Sequence, residues 1–415
     1  MATQWDSRNS DPAARGLMQG FPPPPDRRVT MQGDLSGSSF PQTRWAFSHQ
    51  RELKPTANVR RGHAVPSALP RRLRDDIDGV SFTTMDNQPM TWAGCVEAMF
   101  TDGVIIMHRG TVVYETYRGA LSPELPHLAF SVTKSFTGLL AATLVHEGAL
   151  DPGAPAASYV PELAGSAFAD ASVRQVMDMT VGVRYSEAYT DPQAEVRTYG
   201  IAAGYGRAPD DYTGPRSIAD FLVTLKKQGE HGEAFAYKTC NTEVLAWIIQ
   251  RLTGRPMAEL LSERLWRRLG TEEDASIIVD PAGMAACGGG MSLTLRDLAR
   301  FGEMIRCGGR VGQTQIVPEA VISDIAGGAR REDFAKAGYT TMPGWSYRSQ
   351  WWVSHNSLGA FTARGIHGQA CWIAPAADLV IARFASHPVA ANGNSVLDKT
   401  SLPAYAAIAA HLMRD

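Results

Sequence analysis

The chain lacks the signals that would place it in several large classes of protein. No window approaches the roughly 18 apolar residues of a membrane-spanning helix, and the opening MATQWDSRNSDPAARGLMQGFPPPPDRR has no apolar core of the signal-peptide kind. A cytoplasmic location without a membrane partner is therefore expected. Charge of one sign is missing too: 40 Lys and Arg face 42 Asp and Glu, with no long run of either. The electrostatic footprint of a nucleic-acid binder is absent. The five cysteines are odd in number, dispersed, and include no Cys-x-x-Cys pair, a pattern of buried thiols in a reducing compartment and not of a disulfide frame or zinc site. Ten histidines form no His-Glu-x-x-His, and no Gly-x-Ser-x-Gly occurs. Neither a metal nor any other cofactor is expected, and a Ser-His-Asp hydrolase elbow is excluded. No internal repeat is visible, which sets solenoids and propellers aside.

What remains is an ordinary globular composition, 44% hydrophobic and 20% charged over 415 residues, long enough for two domains. A small-molecule amide or ester is the expected partner, and the sequence leaves room for a homodimer. Residues 1–43, rich in Pro, Gly, Ser and Arg, read as an irregular, loosely wrapped arm, although TRWAFSHQREL just beyond carries aromatics that favour docking. GVIIMHRGTVVYETYRG has two β-branched runs around a turn and predicts a hairpin; SFTGLLAATLVHEGAL predicts a helix ending near Gly148. SVRQVMDM, SIADFLVTLKK, TEVLAWIIQRLTG and MAELLSERLWRRLG all show helical spacing, which makes residues 151–285 a mainly helical domain. RDLARFGEMIRCGG predicts a further helix, GQACWIAP with DLVIARFAS a second hairpin, and SLPAYAAIAAHLMRD a C-terminal helix on that sheet. The fold class is therefore α+β: an antiparallel sheet shared by residues 44–150 and 286–415, flanked by helices, with the helical domain inserted.

Three segments carry chemistry. In LAFSVTKSF, Ser131 and Lys134 lie one helical turn apart at a helix start. A serine hydroxyl needs a base, a buried lysine amine can be neutral enough to serve, and helix-start N–H groups favour negative charge there. A serine N-cap followed by a chance lysine would look the same. In GEAFAYKTCNTEV, Tyr237 precedes a helix and could relay a proton, or simply anchor the loop. Asn241 could bind substrate or cap the helix. In ARGIHGQACW, the glycines of Gly365–Gln369 allow a close backbone approach and a second oxyanion N–H, or mark a structural bulge.

In this order the segments resemble the serine β-lactamases, the penicillin-binding proteins and the esterases built on their fold. Ser-Asp-Asn and Lys-Thr-Gly are missing, so the similarity is to the class C and esterase branch. TRWAFSH, SVTKS, YVPELAGS, VLAWI, RDLAR, QWW and GIHGQ narrow it, from about Arg44 onward, to hydrolases of linear 6-aminohexanoate oligomers. The resemblance implies a β-lactamase-like fold and cleavage of small linear amides through an acyl-enzyme. It makes Ser131 the nucleophile, Lys134 its base and Tyr237 the relay, with Ser131 and Ile366 holding the oxyanion. It also implies that Tyr189 closes over substrate and Trp352 lines the pocket, while Lys238 leaves the electrostatics around Tyr237 open. Glu187, Asp191 and Glu195 surround Tyr189; they either face solvent or meet a substrate ammonium, and Glu187 is then the acid expected to matter most, sharing Tyr189's side of an extended loop. A carboxylesterase using the same site is the main rival. A β-lactamase or D,D-peptidase is disfavoured by the lack of an export signal, and an inactive binding protein by the presence of both nucleophile and base.

Overall fold

The computed structural model of the chain describes residues 5–31, 36–189, 191, 193–206, 208–391 and 393–414. The elements that position the site are β1 (Thr101–His108), β2 (Thr111–Tyr117), α1 (Val132–His146), α2 (Thr239–Thr253), α3 (Leu295–Arg306), β3 (Ser346–Arg348), β4 (Trp351–Val353), β5 (Phe361–Gly365), β6 (Gln369–Ala374), β7 (Leu379–Ala385) and α4 (Val396–Leu412). Seven strands form one antiparallel sheet in the order β3-β4-β5-β6-β7-β1-β2. A late meander is thus closed by the early hairpin, as the two hairpin patterns predict.

Both faces of this sheet are buried, which explains why its strands read as continuous apolar runs. Val104, Ile106, Trp372 and Ile381 point to one side, where Trp92, Leu397, Tyr405 and Ile408 cover them. This is the C-terminal helix packed on the sheet. Ile105, Met107, Cys371, Val380 and Ala382 point to the other side and join the main core with α1, α2 and α3. A smaller sheet pairs Ala275–Ile278 with both Thr56–Val59 and Met291–Leu293, and the latter with His127–Leu128. It therefore ties the backbone around residue 278 to segments on either side in sequence.

Helix α1 is buried on nearly every side, from Val132 through Ala142, and so behaves as a central helix and not an amphipathic surface one. Its close packing has a specific requirement at Gly138, where an added Cβ would stand 2.1 Å from the Ser349 carbonyl. Ser349 and Gln350 themselves have left-handed backbone, φ 48° and 68°, and the turn they form locks both site helices. The Ser135 hydroxyl donates to the Gln350 carbonyl at 2.8 Å. The Thr242 hydroxyl on α2 donates to the Gln350 side chain at 2.7 Å.

The segment after the N-terminal arm docks firmly. Arg44, 2% exposed, pairs with buried Asp102 on β1 at 3.3 Å, and His127 approaches the same carboxylate at 3.2 Å. Within the arm, Leu17 and Val29 pack with Trp45 and Ala46, so the described part of residues 1–43 is irregular yet seated on the body. Among the described residues no helix is long and apolar enough to cross a membrane, and no group of His, Cys, Asp and Glu could hold a metal ion.

Gly138→Ala should be strongly destabilising. The gain of about 1 kcal/mol in helix propensity is outweighed by overpacking against backbone, about 1–3 kcal/mol or more. Denaturant unfolding should show a lower midpoint at unchanged slope.

Candidate active site

Ser131 caps the start of α1 with φ −66° and ψ −6° and is 6% exposed. Its predecessor, Phe130, is held at φ 45°, a left-handed conformation that costs a bulky residue of order 1 kcal/mol or more and is found where surrounding structure imposes it. The turn aims the Ser131 side chain into the protein. The Lys134 amine donates to the Ser131 Oγ at 3.0 Å and to the Gly288 carbonyl. Lys134 is 1% exposed, so the pair predicted from spacing exists as a buried contact.

Burial pushes the Lys134 amine down to about 8, against the pull of the Glu187 and Glu243 carboxylates. At neutral pH a usable fraction is therefore neutral. The Tyr237 ring lies 5.2 Å from the lysine nitrogen. Burial first, then the charge on Glu187, raises the Tyr237 phenol well above its ordinary value, and a hydrogen bond with Ser131 pulls the other way. Tyr237 is thus a neutral phenol.

The third segment arrives through Gly365. A Cβ there would sit 2.7 Å from the Ala129 carbonyl, so only glycine lets the end of β5 come this close to the nucleophile turn. Ile366–Gly368 is a single tight turn between β5 and β6, with His367 at φ 63°. Ile366 and Ser131 line the same cavity of about 420 Å³. His367 is kept neutral, pushed by burial to about 4, and its Nδ1 contacts the His387 carbonyl at 2.7 Å.

The other expected residues divide. Tyr189 lines the cavity, with its hydroxyl 3.4 Å from Glu187. Glu187 does not line it: its carboxylate accepts the Thr239 backbone N–H at the start of α2. The sequence pattern placed it beside Tyr189 but could not show that a helix start would claim the charge. Asp191 and Glu195 accept loop N–H groups of Gln193 at 2.8 Å and Ser186 at 2.9 Å, and neither lines the cavity. Trp352 stands behind Tyr237, ring centroids 5.1 Å apart, in a cluster with Phe235 and Tyr347. It buttresses the phenol without lining the cavity. Asn241 is fully buried, and its amide donates to the Lys238 carbonyl at 3.1 Å within the first turn of α2. The start of α2 has no side-chain cap, so Asn241 neither caps the helix nor lines the cavity. Lys238 turns away from Tyr237 and donates to the Val183 carbonyl.

Two features escaped the sequence reading. Glu243, fully buried on α2, accepts the Gly288 N–H at 2.7 Å, the Cys287 N–H at 3.1 Å and the Tyr199 hydroxyl. It holds the loop whose Gly288 carbonyl receives Lys134, and burial raises its own proton affinity. A lone acid inside NTEVLAWII was the available signal. Phe47, Gln50 and Lys54 line one side of the cavity, so TRWAFSHQREL supplies a wall of the site.

A Ser–Lys pair at a helix start, with a neutral phenol beside it and a backbone turn across the cavity, is an arrangement chemically suited to nucleophilic attack by the serine. The Beta-lactamase family model matches residues 94–399. The chain belongs to this family and is a serine hydrolase. It is 39% identical over 355 residues, 85% of its length and 88% of the relative's, to the 6-aminohexanoate-dimer hydrolase of Paenarthrobacter ureafaciens. Its fold superposes with TM-score 0.84 and 30% identity on a Bacillus anthracis protein whose name proposes the same activity, covering 93% of this chain and 97% of that one. A D-stereospecific amidohydrolase from Streptomyces, 15% identical over 73% of this chain and 94% of its own, shares the fold with TM-score 0.54.

The electrostatics set the pH response. For a neutral substrate, kcat/KM should rise with pH along a limb centred near 8, where the Lys134 amine loses its proton. Glu187 favours the charged amine, so Glu187→Gln should move that limb to lower pH. A pH–rate profile of both enzymes checks the sign.

Proposed function

We infer that this hydrolase cleaves amide bonds of linear 6-aminohexanoate oligomers, or similar small linear amides, through an acyl-enzyme on Ser131. The observation that carries the reading is the buried 3.0 Å contact between the Lys134 amine and the Ser131 Oγ. The relative from Paenarthrobacter ureafaciens supplies the substrate class.

In this scheme neutral Lys134 takes the Ser131 proton as Oγ attacks the carbonyl carbon. The negative oxygen so formed is met by the Ser131 N–H at the α1 start and the Ile366 N–H across the cavity. Donors fixed in a water-poor site stabilise such charge without reorganising. Tyr237 gives its proton to the departing amine and is reprotonated from the lysine ammonium, which returns Lys134 to the neutral form. Water then enters and loses a proton to neutral Lys134 as its oxygen attacks the acyl carbon; the C–Oγ bond breaks, the acid leaves, and the lysine ammonium returns the proton to Ser131 Oγ. Tyr189, on the loop over the cavity, covers the bound chain.

A short-chain carboxylesterase remains the second reading. The cavity favours it in one respect: among the described residues its lining carries no carboxylate to hold a substrate ammonium.

Incubation with an activated ester should add one acyl mass to the wild-type chain and none to Ser131→Ala. Lys134→Ala should lose on the order of 10⁴-fold or more in turnover, nearly as much as Ser131→Ala, because members of one catalytic unit are not additive. Normal turnover by Ser131→Ala would overturn the assignment. Tyr237→Phe should cost the amide reaction about 10²–10⁴-fold and a matched aryl ester far less, since a phenolate leaves without a proton. Equal losses would remove the relay role.

A further inference from the structure

The cavity beside Ser131 is charged in one direction only. Among the described residues its lining includes two charged side chains, Lys54 and Arg197, and no carboxylate. Arg197 is surface-exposed and already donates to the Tyr189 carbonyl. Lys54 is different. It ends the short helix Gln50–Leu53, a segment held in place by the buried Arg44–Asp102 pair, and its ammonium lies 5.1 Å from the centroid of the Tyr205 ring. Tyr205 lines the same cavity. No ion pair joins Lys54 to any described acid, and the three acids of the Tyr189 loop are occupied with backbone N–H groups of Thr239, Gln193 and Ser186. A half-buried ammonium whose company is an aromatic face is partly compensated by the ring quadrupole, yet it keeps donors free for an anion.

We propose that Lys54 forms a subsite for a carboxylate at one end of the substrate, so that the enzyme selects linear substrates by their acid terminus and not by their ammonium. The inference rests on the hydrolase reading of the Ser131 site and adds to it the residue that sets specificity. A linear amino-acid dimer carries such a carboxylate on its leaving amine. Charge-assisted contact with the Lys54 ammonium would lay the intervening chain across the cavity and orient the amide over Ser131. Burial, which lowers the Lys54 amine to about 8, agrees with a cation that lacks a protein counter-ion; a bound carboxylate would raise it again.

The test compares two matched substrate pairs. The first is the 6-aminohexanoate dimer against the same dimer with its acid converted to a primary carboxamide, read as cleavage of the internal amide. The second is 6-butyryloxyhexanoate against 6-butyryloxyhexanamide, read as ester cleavage. In the wild-type enzyme near pH 7, kcat/KM should favour the acid about 10-fold or more, chiefly through KM. Lys54→Gln should bring the ratio of acid to carboxamide close to one, and Lys54→Arg should keep most of it. If neither dimer is cleaved while the esters are, the amide reading fails and the ester pair still decides the role of Lys54. Equal wild-type turnover of acid and carboxamide, or a preference that survives in Lys54→Gln, would overturn the proposal.

Discussion

The site depends on excluding water from one amine. Lys134 sits between the start of α1, the Tyr237 ring and the Gly288 carbonyl, 1% exposed, and two opposing effects meet there. Desolvation disfavours the ammonium; Glu187 and Glu243 favour it. Burial wins, because Glu243 is itself deeply buried and holds its own proton more tightly than an exposed acid would. Its charge therefore presses less on the lysine. The balance leaves a partly neutral amine at Lys134 against the Ser131 hydroxyl and a neutral phenol at Tyr237.

That exclusion of water explains features of the fold that would otherwise look like independent details. Helix α1 is buried on nearly all sides because a half-exposed helix would hydrate the amine. Its close seat against the Ser349–Gln350 turn requires the missing side chain at Gly138, and the same turn reaches α2 through Thr242. The two helices that carry Ser131, Lys134 and Glu243 are thus fixed to one piece of backbone. Gly365 does the equivalent at the far wall, allowing β5 to approach Ala129. The walls above this floor come from elsewhere: residues 47–54, the 196–206 stretch and the 288–289 backbone. The floor is built from these close-packed helices and strands, while the walls come from the helix Glu195–Ala202, from loops and from the docked segment after the arm.

Much of this was legible in the sequence, and the boundary of what was legible is physical. Period and turn residues identified both hairpins, α1, α2, α3 and the C-terminal helix, because those signals are local. Ser131 with Lys134 was readable because a single helical turn fixes their relation, and Tyr237 because it stands at a helix start. What spacing could not reveal was which neighbour would claim a side chain. Glu187 lay near Tyr189 as expected, yet the Thr239 N–H took its carboxylate. Trp352 packed behind Tyr237, not beside the cavity, and Asn241 bonded back to the Lys238 carbonyl. Lys54 and Glu243 matter through contacts with Tyr205 and Gly288, 151 and 45 residues away in the chain, and such long-range pairings leave no periodic trace.

NMR titration of lysines labelled at the ε-carbon shows whether burial leaves the Lys134 amine free to lose its proton close to neutrality. The Lys134 resonance would be assigned by its loss in Lys134→Arg. It should titrate near 8, more than two pH units below an exposed lysine at about 10.4. A Lys134 resonance that titrates with the exposed lysines would contradict this, because an amine still charged at pH 9 cannot be the base that activates Ser131.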